Sequence, residues 1–113
     1  MLRPIGISSS GILSSFKLLD ATAHNIANAN TDGDKRDSVS FKEGANGGVY
    51  ATASKISSPG PAYNMNGVIY EGSNVDIASE AVSLMTARHM LSMNIAALRT
   101  ADEMTESLLD TFA

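Results

Sequence analysis

Apolar residues recur at helical spacing at the two ends of the chain and thin out between them. From about Ser9 to Asn28, the residues Ile12, Phe16, Leu19, Ala23 and Ile26 follow at intervals of four, three, four and three, which is the a/d seam of a heptad. The pattern predicts an amphipathic helix with a narrow stripe. Ser8 to Ser10 offer hydroxyl caps at its start. Asn28, Asn30, Asp32 and Gly33 close it near Asn28, because such residues tolerate left-handed backbone or compete for its hydrogen bonds. A longer pattern follows Ser73 and Asp76, which stand in the S-x-x-D relation of a capping box and place a helix start at about Asn74. From there Ile77, Leu84, Leu91, Leu98, Thr105 and Phe112 repeat every seven residues, flanked by Ala81, Ala87, Ile95, Ala101, Leu108 and Leu109. This predicts nearly forty helical residues, or about 55–60 Å at 1.5 Å per residue. The first helix is too short to cover such a stripe, so part of it asks for a partner.

Residues 31–73 read differently. They hold seven of the nine Gly and two of the three Pro, a poor composition for a core. Ser38 to Lys42 and Val49 to Ile56 alternate in character around the Gly/Asn-rich connection Glu43 to Gly48, which predicts a β-hairpin. Ser58 to Pro61 stop its second strand, and a last short strand is expected over Gly67 to Glu71. The expected fold is therefore mainly α with a small β portion. An N-terminal helix (1–30) and a C-terminal helix (74–113) pair as an antiparallel coiled coil, connected by an irregular segment (31–73), in one domain.

Charge and composition narrow the function classes. The net charge is −4 at pH 7, and a polyanion-binding surface needs clustered cations, so nucleic acid is not an expected partner. Without cysteine, disulfides, thiolate metal sites and cysteine nucleophiles are excluded. Arg3, Lys17, Asp20 and the serines between them interrupt every apolar run in residues 1–30, so no cleavable secretion signal is expected. No run of about 18 apolar residues marks a lipid-embedded segment.

Candidate chemistry is sparse. His24 and His89 are the only histidines, too far apart in sequence for a shared helical metal site; closing the first helix and facing solvent are the plainer roles. No nucleophile elbow, phosphate-binding loop or dinucleotide turn occurs. Asp102, Glu103, Glu106 and Asp110 could pair as catalytic carboxylates, but on a heptad-patterned helix they read as a solvated face. No catalytic residue, cofactor, metal or small-molecule substrate is expected. Met85, Met90, Met93 and Met104 fit a core or a surface that repacks against non-identical neighbours. The tract Asn25, Asn28, Asn30, Thr31 exceeds what helix capping requires and points to polar contacts outside the subunit.

Two stretches carry a resemblance. Ala21 to Arg36, ATAHNIANANTDGDKR, resembles the N-terminal signature of the bacterial flagellar rod and hook axial proteins. Asn25, Ile26, Ala27, Asn28, Ala29, Asn30, Thr31, Gly33, Lys35 and Arg36 match it. Ser73 to Leu109 is similar to that family's C-terminal signature through Ser73, Asn74, Val75, Asp76, Glu80, Arg88, Asn94 and Thr100 to Met104. The chain departs from the pattern at Asp32, Asp34 and Ala81, where the family usually has Pro, an aromatic residue and Met. A 43-residue middle cannot hold the large domain of hook and distal-rod relatives, so the resemblance is to the small proximal-rod members.

The resemblance implies a structural subunit of the flagellar basal body. Its terminal helices would polymerise, with copies of itself and other axial proteins, into a tube around an export channel. It also implies passage through the flagellar type III export apparatus without a cleaved signal. On this reading Ile12, Phe16, Leu19, Ala23 and Ile26 pack against Leu84, Leu91, Ile95 and Leu98 within a subunit. Asn25, Asn28, Asn30 and Thr31, with Leu108, Leu109 and Phe112, make contacts between subunits. Two other readings stay open from the residues alone: a helical interaction module such as an export chaperone or adaptor, which would form an oligomer of fixed size, and a small enzyme or binding domain with its site in 31–73, which would need a pocket and a titratable constellation there.

Overall fold

A computed structural model describes residues 2–113 of the chain. In chain order it comprises α1 (Leu2–Ala27), β1 (Asp37–Glu43), β2 (Val49–Lys55), β3 (Ala62–Met65), β4 (Val68–Glu71) and α2 (Ile77–Phe112). The fold is mainly helical with a small β portion, as its pattern predicted.

Helix α1 starts earlier than Ser9. Pro4 lies in its first turn, where a missing N–H costs nothing, and the serines expected as caps lie inside the helix. Ser10 and Ser15 return their hydroxyls to the carbonyls of Ile7 (2.7 Å) and Gly11 (2.8 Å), a bond that lets serine sit within a helix. The helix closes at Ala27, with the Asn28 N–H still reaching the His24 carbonyl at 3.1 Å. Helix α2 starts later than Asn74. Its N-cap is Asp76, which holds extended backbone and accepts from the Ala78 N–H (3.2 Å) and the Ser79 hydroxyl (2.7 Å). Ser73 is one turn too early and accepts instead from the Val75 N–H at 3.2 Å.

The helices run antiparallel. Asn25 lies opposite Glu80, Gly11 opposite Asn94, and Pro4 against Ala97, Ala101 and Met104. With 36 residues against 26, α2 projects past the beginning of α1.

Strands β1 and β2 form the expected hairpin, with Val39 paired to Ala53 and Phe41 to Ala51. It lies on α1. Ser10 accepts from the Val49 N–H at 3.0 Å and Ser14 donates to the Val49 carbonyl at 3.1 Å. The last strand expected over Gly67 to Glu71 is β4, and it forms a second hairpin across Asn66 and Gly67 with β3, a strand the pattern did not predict. Both turn residues have positive φ, 53° and 83°, the requirement of the tight turn that matches strand twist. All eight strand residues of this hairpin are exposed, and Tyr63 stacks on Tyr70 at 5.7 Å.

The interior is unusual. Among the described residues the only buried hydrophobic side chains are Ala21 and Ala87, while Ser8, Ser14, Ser15, Thr22, Asn25, Ser73 and Glu80 are buried too. Along α1 the residues Ser8, Gly11, Ser15, Leu18, Thr22 and Asn25 keep heptad spacing, and this stripe, anchored by Gly11 and Asn25, lies on α2. The apolar stripe expected there is turned away by about a quarter of the helix circumference at 3.6 residues per turn. Small side chains let two helix backbones approach closely.

Candidate functional site

Two features stand out: a buried polar knot where the helix pair meets the β segment, and a long apolar surface left open around it.

The knot is centred on Glu80. Placed one turn inside α2 by the Asp76 cap, its carboxylate is 1% exposed, accepts from Asn25 Nδ2 at 3.1 Å and pairs with the Arg36 guanidinium. Asn25 reaches it from α1. The same amide donates to the Asp37 carbonyl (2.8 Å) and accepts from the Asp37 N–H (2.7 Å), pinning the start of β1 to the end of α1. Asn74 secures the other side of Arg36, accepting from its N–H at 2.6 Å and donating to the Ile56 and Ser58 carbonyls at 2.9 and 2.8 Å. Four side chains from four segments thus share one network, and a buried charge is tolerable because it is paired and hydrogen-bonded.

The second hairpin is tethered to the same place. Lys35 pairs with Glu71, which also accepts from the Gly60 N–H at 2.8 Å. The Lys35 ammonium, and then the Gly60 N–H, hold the Glu71 carboxyl below its ordinary pKa. The Gly33 N–H reaches the Glu71 carbonyl at 2.8 Å from a left-handed backbone, φ 71°, which favours glycine there. Tyr63 donates its hydroxyl to Asp32 at 2.7 Å, and that bond raises the phenol's pKa. At the head of α2, the Ser79 hydroxyl and the Ala78 N–H lower the Asp76 pKa. Asp32 stands where the resembled family usually has Pro, and here it ties the turn to β3. Asp34, in place of the usual aromatic residue, leaves its buried Oδ2 without a partner.

The residues singled out from sequence distribute as follows. Asn25, expected between subunits, is 1% exposed and its amide is spent inside the subunit, which removes it from the external set. Asn28 donates to the His24 carbonyl at 3.0 Å and accepts from the Thr31 hydroxyl at 3.2 Å, so both act in the helix-end turn; Asn30 and Thr31 are exposed. Ile12, Leu19, Leu91, Ile95 and Leu98 are half-buried along the flanks of the pair. Phe16, Ala23, Ile26 and Leu84 are exposed, since the small-residue stripe takes the facing position. Leu108, Leu109 and Phe112 are exposed on the projecting end of α2. Arg36, Asn74 and Glu80 were legible only as signature positions, not as one network.

The open surface is extensive. Twenty large hydrophobic side chains are exposed among the described residues, on both helices and both hairpins. The accessible area is 7733 Å² for 11.8 kDa, whereas a compact monomer of this mass exposes about 5,900 Å². Surface of this kind marks an interaction site.

Residues 65–111 match the family model described as flagellar basal body rod FlgEFG protein C-terminal. The match runs from the end of β3 through Asn74, Asp76 and Glu80 to the projecting end of α2, and makes this part of the chain similar to flagellar basal body rod proteins. No curated protein sequence matches the chain.

Proposed function

We propose that this chain, similar over residues 65–111 to flagellar basal body rod proteins, is a rod-family structural subunit of the basal body that polymerises with itself and other axial proteins. Its helix pair would line the wall of a tube that serves as drive shaft and export channel. The observation that carries this reading is the inverted distribution of apolar side chains among the described residues: two alanines buried, twenty large hydrophobic residues exposed. Burial of a large apolar side chain is worth about 1.5–3 kcal/mol, so such a surface gains by meeting neighbours. Phe16, Ala23, Ile26 and Leu84, with the half-buried Ile12, Leu19, Leu91, Ile95 and Leu98, form the lateral faces. Asn28, Asn30 and Thr31 border them, and Leu108, Leu109 and Phe112 make the longitudinal contact. The absence of cysteine and the small interior suit a subunit that travels unfolded through the flagellar type III export apparatus.

Sedimentation velocity with far-UV circular dichroism, across a wide concentration range, tests this on the full chain and on a chain lacking residues 1–30. The expected result is a species that gains helix as it forms open-ended, heterogeneous polymers, an ability lost on truncation. A rigid dimer or tetramer of fixed size at every concentration would sink the proposal in favour of an adaptor.

A further inference from the structure

A shallow groove on the flank of α2 is lined by Leu91, Ser92, Ile95 and Ala96 between Arg88 and Arg99. The two arginines are eleven residues apart on nearly the same side of the helix, about 16 Å along its axis. Among the described residues neither has an ion pair within the chain. An apolar floor between two free guanidinium groups fits an amphipathic, acidic helix.

The chain carries one. The projecting end of α2 holds Asp102, Glu103, Glu106 and Asp110, with no basic residue in its last turn, and Leu109 and Phe112 beside them are 67% and 86% exposed. None of these four acids is ion-paired among the described residues. Such an end is electrostatically unfavourable in isolation. Asp102, Glu106 and Asp110 repel at four-residue spacing, and negative charge at a helix C-terminus opposes the helix dipole. Both strains are relieved by cations supplied from outside. Within the chain Arg99 stands one turn from Asp102 and Glu103 only; Glu106 and Asp110 lie about 10 Å and about 16 Å further along the same helix, out of its reach.

We propose that the Arg88–Arg99 groove receives the acidic end of α2 from a second copy of the chain, Leu109 seating on Leu91 and Ile95 while Glu106 and Asp110 meet the arginines. This rests on the self-polymerising reading above and deepens it by naming the two surfaces that join. Because donor end and acceptor groove are different patches, the contact is heterologous and extends without closing.

The test uses two full-length double variants, Arg88→Glu/Arg99→Glu and Glu106→Lys/Asp110→Lys, with far-UV circular dichroism to show that helix content is kept. Sedimentation velocity then gives the concentration at which polymers appear. Each variant alone should need a concentration about tenfold higher or more, as expected for reversing close charge pairs at an interface. An equimolar mixture should return toward the wild type, since a glutamate groove meets a lysine end and an arginine groove meets an acidic one. If wild-type chains polymerise but the groove variant does so equally well, or the mixture does no better than its components, the groove contact is overturned and the axial reading stands. If the wild type stays monomeric or stops at a dimer of fixed size, the self-polymerising reading falls and takes the groove contact with it.

Discussion

The carboxamide of Asn25 has three partners, and its two ends are not interchangeable. Its nitrogen faces the Glu80 carboxylate and the Asp37 carbonyl, its oxygen the Asp37 N–H. A carboxylate of the same shape keeps the last bond but sets negative charge against Glu80 inside the fold. Asn25→Asp is therefore expected to lower stability at neutral pH by about 2–4 kcal/mol, the range for leaving a buried charge without its partner. Part of the loss should return on acidification, as protonation restores a donor; urea unfolding followed by circular dichroism at pH 7 and pH 4 reads both. Equal destabilisation at the two pH values would show that Asn25 acts only by filling space. Nothing in the sequence distinguishes this asparagine from Asn28 or Asn30 in the same tract. What separates them is the face of α1 on which each falls, and that depends on where α2 lies.

At the level of elements, the hydrophobic pattern located both helices and the first hairpin, because periodicity and turn chemistry are local properties. Of the second hairpin it found only β4, although Asn66-Gly67 is a strong turn signal, since β3 (AYNM) is too short and too polar to read as a strand. It also chose the wrong face for the helix contact. The rule that large apolar residues face inward presumes that the chain buries its own stripe. Here the stripe of Ser8, Gly11, Ser15, Thr22 and Asn25 takes that place, because small side chains permit a close approach that leucine would prevent. Gly11 marks the tightest point: a Cβ built there runs into the carboxamide of Asn94. The flexible Asn94 side chain can yield to one methyl group but not to a larger substituent. Gly11→Leu is expected to cost about 1–3 kcal/mol, typical of overpacking, despite leucine's better helix propensity. Asn94→Ala in the same chain should recover much of it, and thermal melts of the single and double variants measure the coupling. Purely additive effects would place Gly11 away from a close contact.

The whole molecule measures 79 × 25 × 13 Å, with a radius of gyration of 19.9 Å, where a compact chain of this length has about 13 Å. Its proportions were legible only in part: the excess length of α2 followed from the heptads, but the lack of an apolar interior did not. On the proposed function, this architecture would separate folding from assembly along the chain. Leu91 is half-buried beside α1, whereas Phe112 is 86% exposed beyond it. Phe112→Ala should change the monomer's unfolding free energy by less than about 0.5 kcal/mol, as for exposed positions generally, yet raise the concentration needed for polymerisation. Leu91→Ala should weaken both. Equal destabilisation of the monomer by the two substitutions would contradict that division. The 13 Å dimension is scarcely more than one helix with its side chains, so the subunit has the section of a stave, twice as wide as it is thick. A stave flexes easily across its thickness and resists bending in its own plane. Set edge to edge around a tube, staves of this section would let the wall follow a tight curve while torque passed sideways through their stiff direction, from one long edge to the next.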